Sequence, residues 1–174
     1  MLPKWLDDRI APHRLSSLIG TAFPVARGYR RHGTVSVTIA VPIERVRVMQ
    51  EQNGEELSAA AGGESVVSHR IVERFPDGHR CVMEGRFADG STCEVHGEER
   101  KLGRDASLVH QSFSHGVTTL TRKVYRRRGD RTRLSSTYWV LGRKDLPPEV
   151  TSAVQAALER ERSVFEARAQ DADE

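Results

Sequence analysis

Cysteine is scarce in this chain, and its two copies fall in no motif. Cys81 and Cys93 are the only ones among 174 residues. Neither belongs to a CxxC pair or has histidines at zinc-finger spacing. A disulfide-framed module and a structural zinc ribbon are therefore not expected; two reduced core thiols are. Aromatic residues make up only 6%, so the aromatics that would stack bases along a basic strip are missing. No apolar run approaches the roughly 18 residues that a membrane span needs. The opening "MLPKWLDDRIAPHRLSSLIG" has acids and prolines where a secretion signal keeps an unbroken apolar stretch, and a cytoplasmic location is expected. An excess of one charge is also lacking. There are 27 Lys and Arg against 24 Asp and Glu, a net +3, too balanced to imply a polyanionic partner. No phosphate-binding loop and no dinucleotide fingerprint occurs. No cofactor, metal or nucleic-acid partner is expected.

What is present is a regular series of strands ahead of one long helix. Residues 1–30 stand apart as an N-terminal extension. Trp5, Leu6 and Ile10 could share a helical face, and the basic "RGYRRHG" reads as a linker. "GTVSVTIAVP" is β-branched and alternating, as a strand should be. "IERVRVMQEQ" and "NGEELSAAAGG" follow as two short helices. Six strands come next, separated by "PDG", "ADG", "GRDA", Gly116 and "GD". A repeat of about 10 to 14 residues suits antiparallel hairpins, since parallel crossovers need a helix between strands. The chain closes with "DLPPEVTSAVQAALERERSVFEARAQ", where Val150, Val154, Ala157, Leu158 and Phe165 fall on one helical face. Only the sheet is broad enough to cover that face. The tail, residues 171–174, is acidic.

This order resembles the helix-grip fold of the START-like superfamily, which includes polyketide cyclases and the birch-pollen-allergen family. The likeness rests on "TVSVTIAVPIERVRVM", on "GDRTRLSSTYWV" and on "SVFEARA", and covers residues 33 to about 170, within a domain set at 31–170. Arg47 stands where the family often has an aromatic, and the extension has no family counterpart. The resemblance implies an α+β domain: a curved antiparallel sheet of about seven strands around a long C-terminal helix, with two short helices after the first strand. It also implies a cavity between sheet and helix for a small, largely apolar or lipid-like molecule.

The basic run "RKVYRRRGDRTR" poses a separate question, whether it grips nucleic acid or caps a hairpin. Set as a hairpin with Leu134 opposite Val124 and Ser136 opposite Arg122, it gathers its charge at a solvated tip. Such charge also discourages edge pairing. The same register points His69, Met83, Gln111, Phe113, Arg122, Ser136 and Tyr138 inward. Glu161, near the middle of the closing helix's apolar face, needs a cation, and Arg122 is the one this register offers. These eight are the candidate ligand-binding residues. Cys81 falls opposite Gly97 and Cys93 opposite Gly85, too far apart for a disulfide. His79, His96, His110 and His115 share no metal geometry in this reading. Trp139 points outward and needs a cover: the N-terminal helices, a second subunit or a protein partner. Two alternatives stay open. One is a protein-interaction or chaperone-like module with a packed interior. The other is a polyketide cyclase or aromatase using His69 and Tyr138 for acid–base work.

Overall fold

A computed structural model of the chain describes residues 29–62, 66–86, 90–114, 116–142 and 148–172. The expected N-terminal helices and the helix cap at Asp145 lie outside the described residues. Strand β1 (Tyr29–Ile39) is followed by helix α1 (Ile43–Gly62). Then come β2 (Val66–Phe75), β3 (Gly78–Arg86), β4 (Thr92–Lys101), β5 (Ala106–Phe113), β6 (Thr118–Arg128) and β7 (Arg131–Leu141). Helix α2 (Pro148–Asp171) closes the series. All pairings are antiparallel in one seven-stranded sheet of order β1-β7-β6-β5-β4-β3-β2.

Two expectations need correction. The basic stretch before Gly33 is not a linker: Arg30, Arg31 and His32 belong to β1, which accommodates them through a register irregularity between Arg31 and Gly33. One helix also replaces the two expected after β1, because Asn53 and Gly54 are carried within α1 rather than ending it. A single interior glycine costs only about 1 kcal/mol relative to alanine, which tertiary packing can offset.

The helices lie against the sheet's concave face through regular apolar spacing. Leu158, Phe165 and Ala169 of α2 are buried together with Ile43, Val46 and Met49 of α1. They meet Val37 and Ile39 of β1, Leu134 of β7 and Tyr125 of β6 in one cluster. Fully burying a side chain such as Phe165 contributes about 2–3 kcal/mol. Polar ties fix the β1–α1 corner: the Ala40 amide donates to Glu166 Oε1 at 2.8 Å, and Thr132 Oγ1 donates to the Val41 carbonyl at 2.8 Å. On the convex face Leu108, Leu120 and Trp139 form a second buried cluster. Trp139 thus faces away from the helices, as read, and is only 6% exposed.

The far end of the sheet is held by charge. Glu98 is buried and accepts from Arg80 Nε and Arg100 Nε, each at 2.7 Å. Arg100 also reaches Asp77 at 2.7 Å and stacks over the Phe75 ring, its guanidinium carbon 3.5 Å from the centroid. Gly78 is required there, since a Cβ would come within 1.9 Å of the Glu99 carbonyl oxygen. No described helix is long and apolar enough to cross a membrane.

Candidate functional site

The hairpin of β6 and β7 decides which polar side chains face the helices. Its loop has two residues, Gly129 and Asp130, with Arg128 opposite Arg131. Tyr125 therefore pairs with Leu134, Lys123 with Ser136 and Thr121 with Tyr138. Relative to the sequence reading this is a slip of one residue, and a one-residue slip turns a strand over. Arg122 lies opposite Leu108 and Thr137, on the convex side. Its expected approach to Glu161 is not made. Lys123 and Tyr125 take its place.

Glu161 is 6% exposed. Its Oε2 accepts from Lys123 Nζ at 2.7 Å, and its Oε1 accepts from the Tyr125 hydroxyl at 2.5 Å. The Lys123 ammonium is held above its usual range: burial works against the charge, but Glu161 and Glu99 outweigh it. Burial first, then the Glu161 carboxylate, pushes the Tyr125 phenol well above its ordinary value. Tyr125 is thus a neutral donor and Lys123 a fixed cation around one carboxylate.

This trio lies on the floor of a cavity of about 590 Å³ bounded by α1, α2 and strands β2 to β6. Phe165 and Ser107 share the buried floor, while Glu51, Gln52, Arg74, Lys101 and Arg104 make an exposed rim. Among the described residues that line it, five are cations (Arg47, Arg74, Lys101, Arg104, Lys123) and three are carboxylates (Glu51, Glu99, Glu161). Phe75, Pro76, Tyr125 and Phe165 supply apolar surface. The lining is therefore more polar than the apolar pocket expected. Arg47 is anchored by a two-point bond to Asp105, Nε to Oδ1 at 2.7 Å and Nη2 to Oδ2 at 2.6 Å. The Arg47 hydrogen bond holds the Asp105 carboxyl below the usual carboxylate range, against its partial burial. The residue that departs from the family pattern thus latches α1 to the β4–β5 loop.

Of the eight residues singled out from sequence, Glu161 lines this cavity. His69, Met83 and Phe113 stand with Val95 in one cross-strand row on the concave face, nearer the β2 edge. Gln111 sits in the next row, opposite Gly97 and Thr119. Ser136 is buried beside Lys123 in register. Tyr138 Oη hydrogen-bonds Thr151 Oγ1 of α2 at 2.6 Å. Tyr138 and His69 stand on β7 and β2, with four strands between them, so the proposed acid–base pair is not brought together. His79, Cys81 and Glu99 also face the concave side, with His79 opposite Glu99 and Cys81 opposite Gly97. The donor atoms of His69, His79 and Cys81 lie within 4.8 Å of one another.

Sequence reading missed Lys123, Tyr125 and His79. The signal for the first two was available: Gly-Asp between two strand patterns suits a two-residue loop, which puts Lys123 and Tyr125 inward. His79 shares the face of Cys81 on β3; what the sequence hid was the approach of His69 from β2, whose register shifts between Val66 and Ser68 and between Ile71 and Glu73.

No family model matches the sequence, and no curated protein does. Solved structures match over most of the chain. Zhui aromatase/cyclase from Streptomyces sp. R1128 has TM-score 0.65 at 16% identity, covering 81% of this chain and 96% of its own. Ara h 8.0201 has TM-score 0.61 at 16% identity, covering 80% of this chain and 99% of its own. A START superfamily protein from Mycobacterium smegmatis has TM-score 0.60 at 14% identity, covering 82% and 99%.

Proposed function

We propose, from a chain that has the helix-grip fold of the START-like proteins, that it binds a small molecule between its sheet and its C-terminal helix. The observation that carries this reading is the cavity of about 590 Å³ with Lys123, Glu161 and Tyr125 on its floor. Its size suits a drug-sized molecule. The lining favours a ring compound with polar or acidic substituents over a plain hydrocarbon. The rings of Tyr125 and Phe165 offer it apolar surface, and the rim cations offer it charge. The concave row of His69, Met83 and Phe113, with Gln111 beside it, extends the wall that a longer ligand would meet. The packed interior of an interaction module is harder to reconcile with this space.

Native mass spectrometry of freshly purified protein, followed by displacement of a fluorescent naphthalene sulfonate, tests the reading. Saturable binding is expected, with hydroxylated aromatic acids displacing the probe better than alkanes of equal size. Tyr125→Phe and Lys123→Met should each weaken the preferred competitor about tenfold or more, the loss of a hydrogen bond to or from a charged group. No saturable probe binding, or equal displacement by alkanes in both variants, overturns it.

An aromatase-like reaction is a second reading, favoured by Tyr125. A neutral phenol that donates to a buried carboxylate is arranged to take the acidic C–H proton of a β-ketone while its own proton passes to Glu161, leaving an enolate. Turnover of a linear poly-β-ketone that falls with Tyr125→Phe, while binding persists, would separate catalysis from passive binding.

A further inference from the structure

We propose that His69, His79 and Cys81 form a binding site for a zinc-type divalent cation in the wall beside the ligand cavity. The backbone supplies the first part of the geometry. His79 and Cys81 are two apart on β3 and so project from the same face. His69 comes from β2, the neighbouring strand, which carries register irregularities on either side of it, between Val66 and Ser68 and between Ile71 and Glu73. Such irregularities increase local twist and bend, and they bring His69 diagonally toward His79. The three donor atoms, two imidazole nitrogens and one sulfur, lie within 4.8 Å of one another. Tetrahedral zinc, with bonds of about 2.0 Å to nitrogen and 2.3 Å to sulfur, needs donors roughly 3.3–3.6 Å apart. Small side-chain rotations cover the difference.

The two imidazoles have little else to do. The two imidazole rings meet edge to face, with centroids 6.4 Å apart, a distance at which they do not hydrogen-bond each other. Neither ring hydrogen-bonds any other described residue. Cys81 is buried, and its thiol occupies room that only a glycine leaves: a Cβ on Gly97 would stand 2.9 Å from Sγ. A sulfur and two imidazoles are a donor set for zinc and its neighbours, not for calcium or magnesium, which require oxygen.

Glu99 completes the picture. It lies directly opposite His79 on β4, and both His79 and Glu99 line the cavity. A fourth ligand from the cavity side, a rotated Glu99 or a donor atom of a bound molecule, would complete the coordination. Zinc-finger spacing did not reveal the site because its ligands converge across strands, not along them.

The test is a titration of the full-length, tag-free, reduced protein with cobalt(II) and zinc(II). One zinc per chain is expected against a chromophoric chelator. The cobalt form should show a thiolate-to-cobalt charge-transfer band in the near ultraviolet and the strong visible bands of tetrahedral cobalt. Cys81→Ser should abolish the charge-transfer band. His69→Gln and His79→Gln should each weaken zinc by at least about tenfold. Cys93→Ser, which removes the other buried thiol, should change neither. The proposal is overturned if binding is not saturable at one per chain, if the band survives Cys81→Ser, or if Cys93→Ser removes it. Should Cys81→Ser lose its fold by circular dichroism, His79→Gln decides: it is half-buried, and unchanged zinc affinity there rejects the site.

Discussion

Glu161 illustrates how one buried carboxylate organises its surroundings. Its helix presents it among Leu158 and Phe165, where a bare charge would be costly. Lys123 and Tyr125 make it tolerable, one with charge and one with a hydroxyl. Removing one partner of such a pair leaves the other uncompensated. Glu161→Leu and Lys123→Met are each expected to cost about 3 kcal/mol in urea unfolding. The double variant should cost less than the sum, with a coupling of about 1–3 kcal/mol. Arg122→Met combined with Glu161→Leu should instead be additive, since Arg122 is on the other face. Alkaline pH gives a second check. The folded-state values of Lys123 and Tyr125 both lie above their ordinary 10.5 and 10.0. The folded protein therefore keeps protons that the unfolded chain releases. Stability should be full below about pH 10 and decline as pH climbs through the raised folded values. Tyr125→Phe should flatten part of that decline, leaving the lysine's share. An unchanged alkaline limb in Tyr125→Phe would show that the phenol is not perturbed.

Hairpin turns are the elements on which the legibility of this site depended. The order of strands and the long closing helix were readable because period-two alternation and a one-sided apolar helix are strong signals. The β3–β4 register was readable too, with Cys81 opposite Gly97 and Cys93 opposite Gly85 as expected. The β6–β7 register was not, because loop length shifts a whole strand by one face while leaving its composition unchanged. Both faces of β6 carry mixed residues, with Leu120, Arg122 and Val124 on one and Thr121, Lys123 and Tyr125 on the other. Hydrophobicity alone could not choose between them. The turn itself could. Gly129 has φ +64° and Asp130 does not enter the left-handed region, the pattern of a turn with glycine at its first central position. Gly129→Ala is accordingly expected to cost about 1 kcal/mol. No neighbouring atom lies within 4 Å of the added Cβ, so the cost is purely backbone. Gly129→Asn should cost less, because asparagine tolerates that conformation. Equal urea midpoints for wild type and Gly129→Ala would contradict the turn described.

Across the whole molecule the apolar core is lopsided, and this predicts where the domain opens first. The main cluster joins β1, β6, β7, α1 and α2 from Leu158 onward. The other edge of the sheet is poorer: β2 leaves Val67 and Val72 43% and 46% exposed, and β2, β3 and β4 are tied by the Glu73–Arg80–Glu98–Arg100 charges. The Glu73–Arg80 pair, which ties β2 to β3, is exposed on both sides, and exposed ion pairs contribute little each. The edge should thus open in sub-global fluctuations well below the free energy of full unfolding. Native-state hydrogen exchange should find the slowest amides in β1 and β7, exchanging by global unfolding, and faster exchange in β2 and β3. Both proposed ligands act on the weaker half. A molecule in the cavity touches Arg74 and His79, and zinc would join β2 to β3 through His69 and Cys81. Each binds only the closed form, so each should slow β2 and β3 exchange by about the factor 1 + [L]/Kd while leaving β7 less affected until global unfolding is reached. Uniform protection across all seven strands would mean that the sheet opens as one unit. Ligand gain at this edge would then be indistinguishable from gain in overall stability.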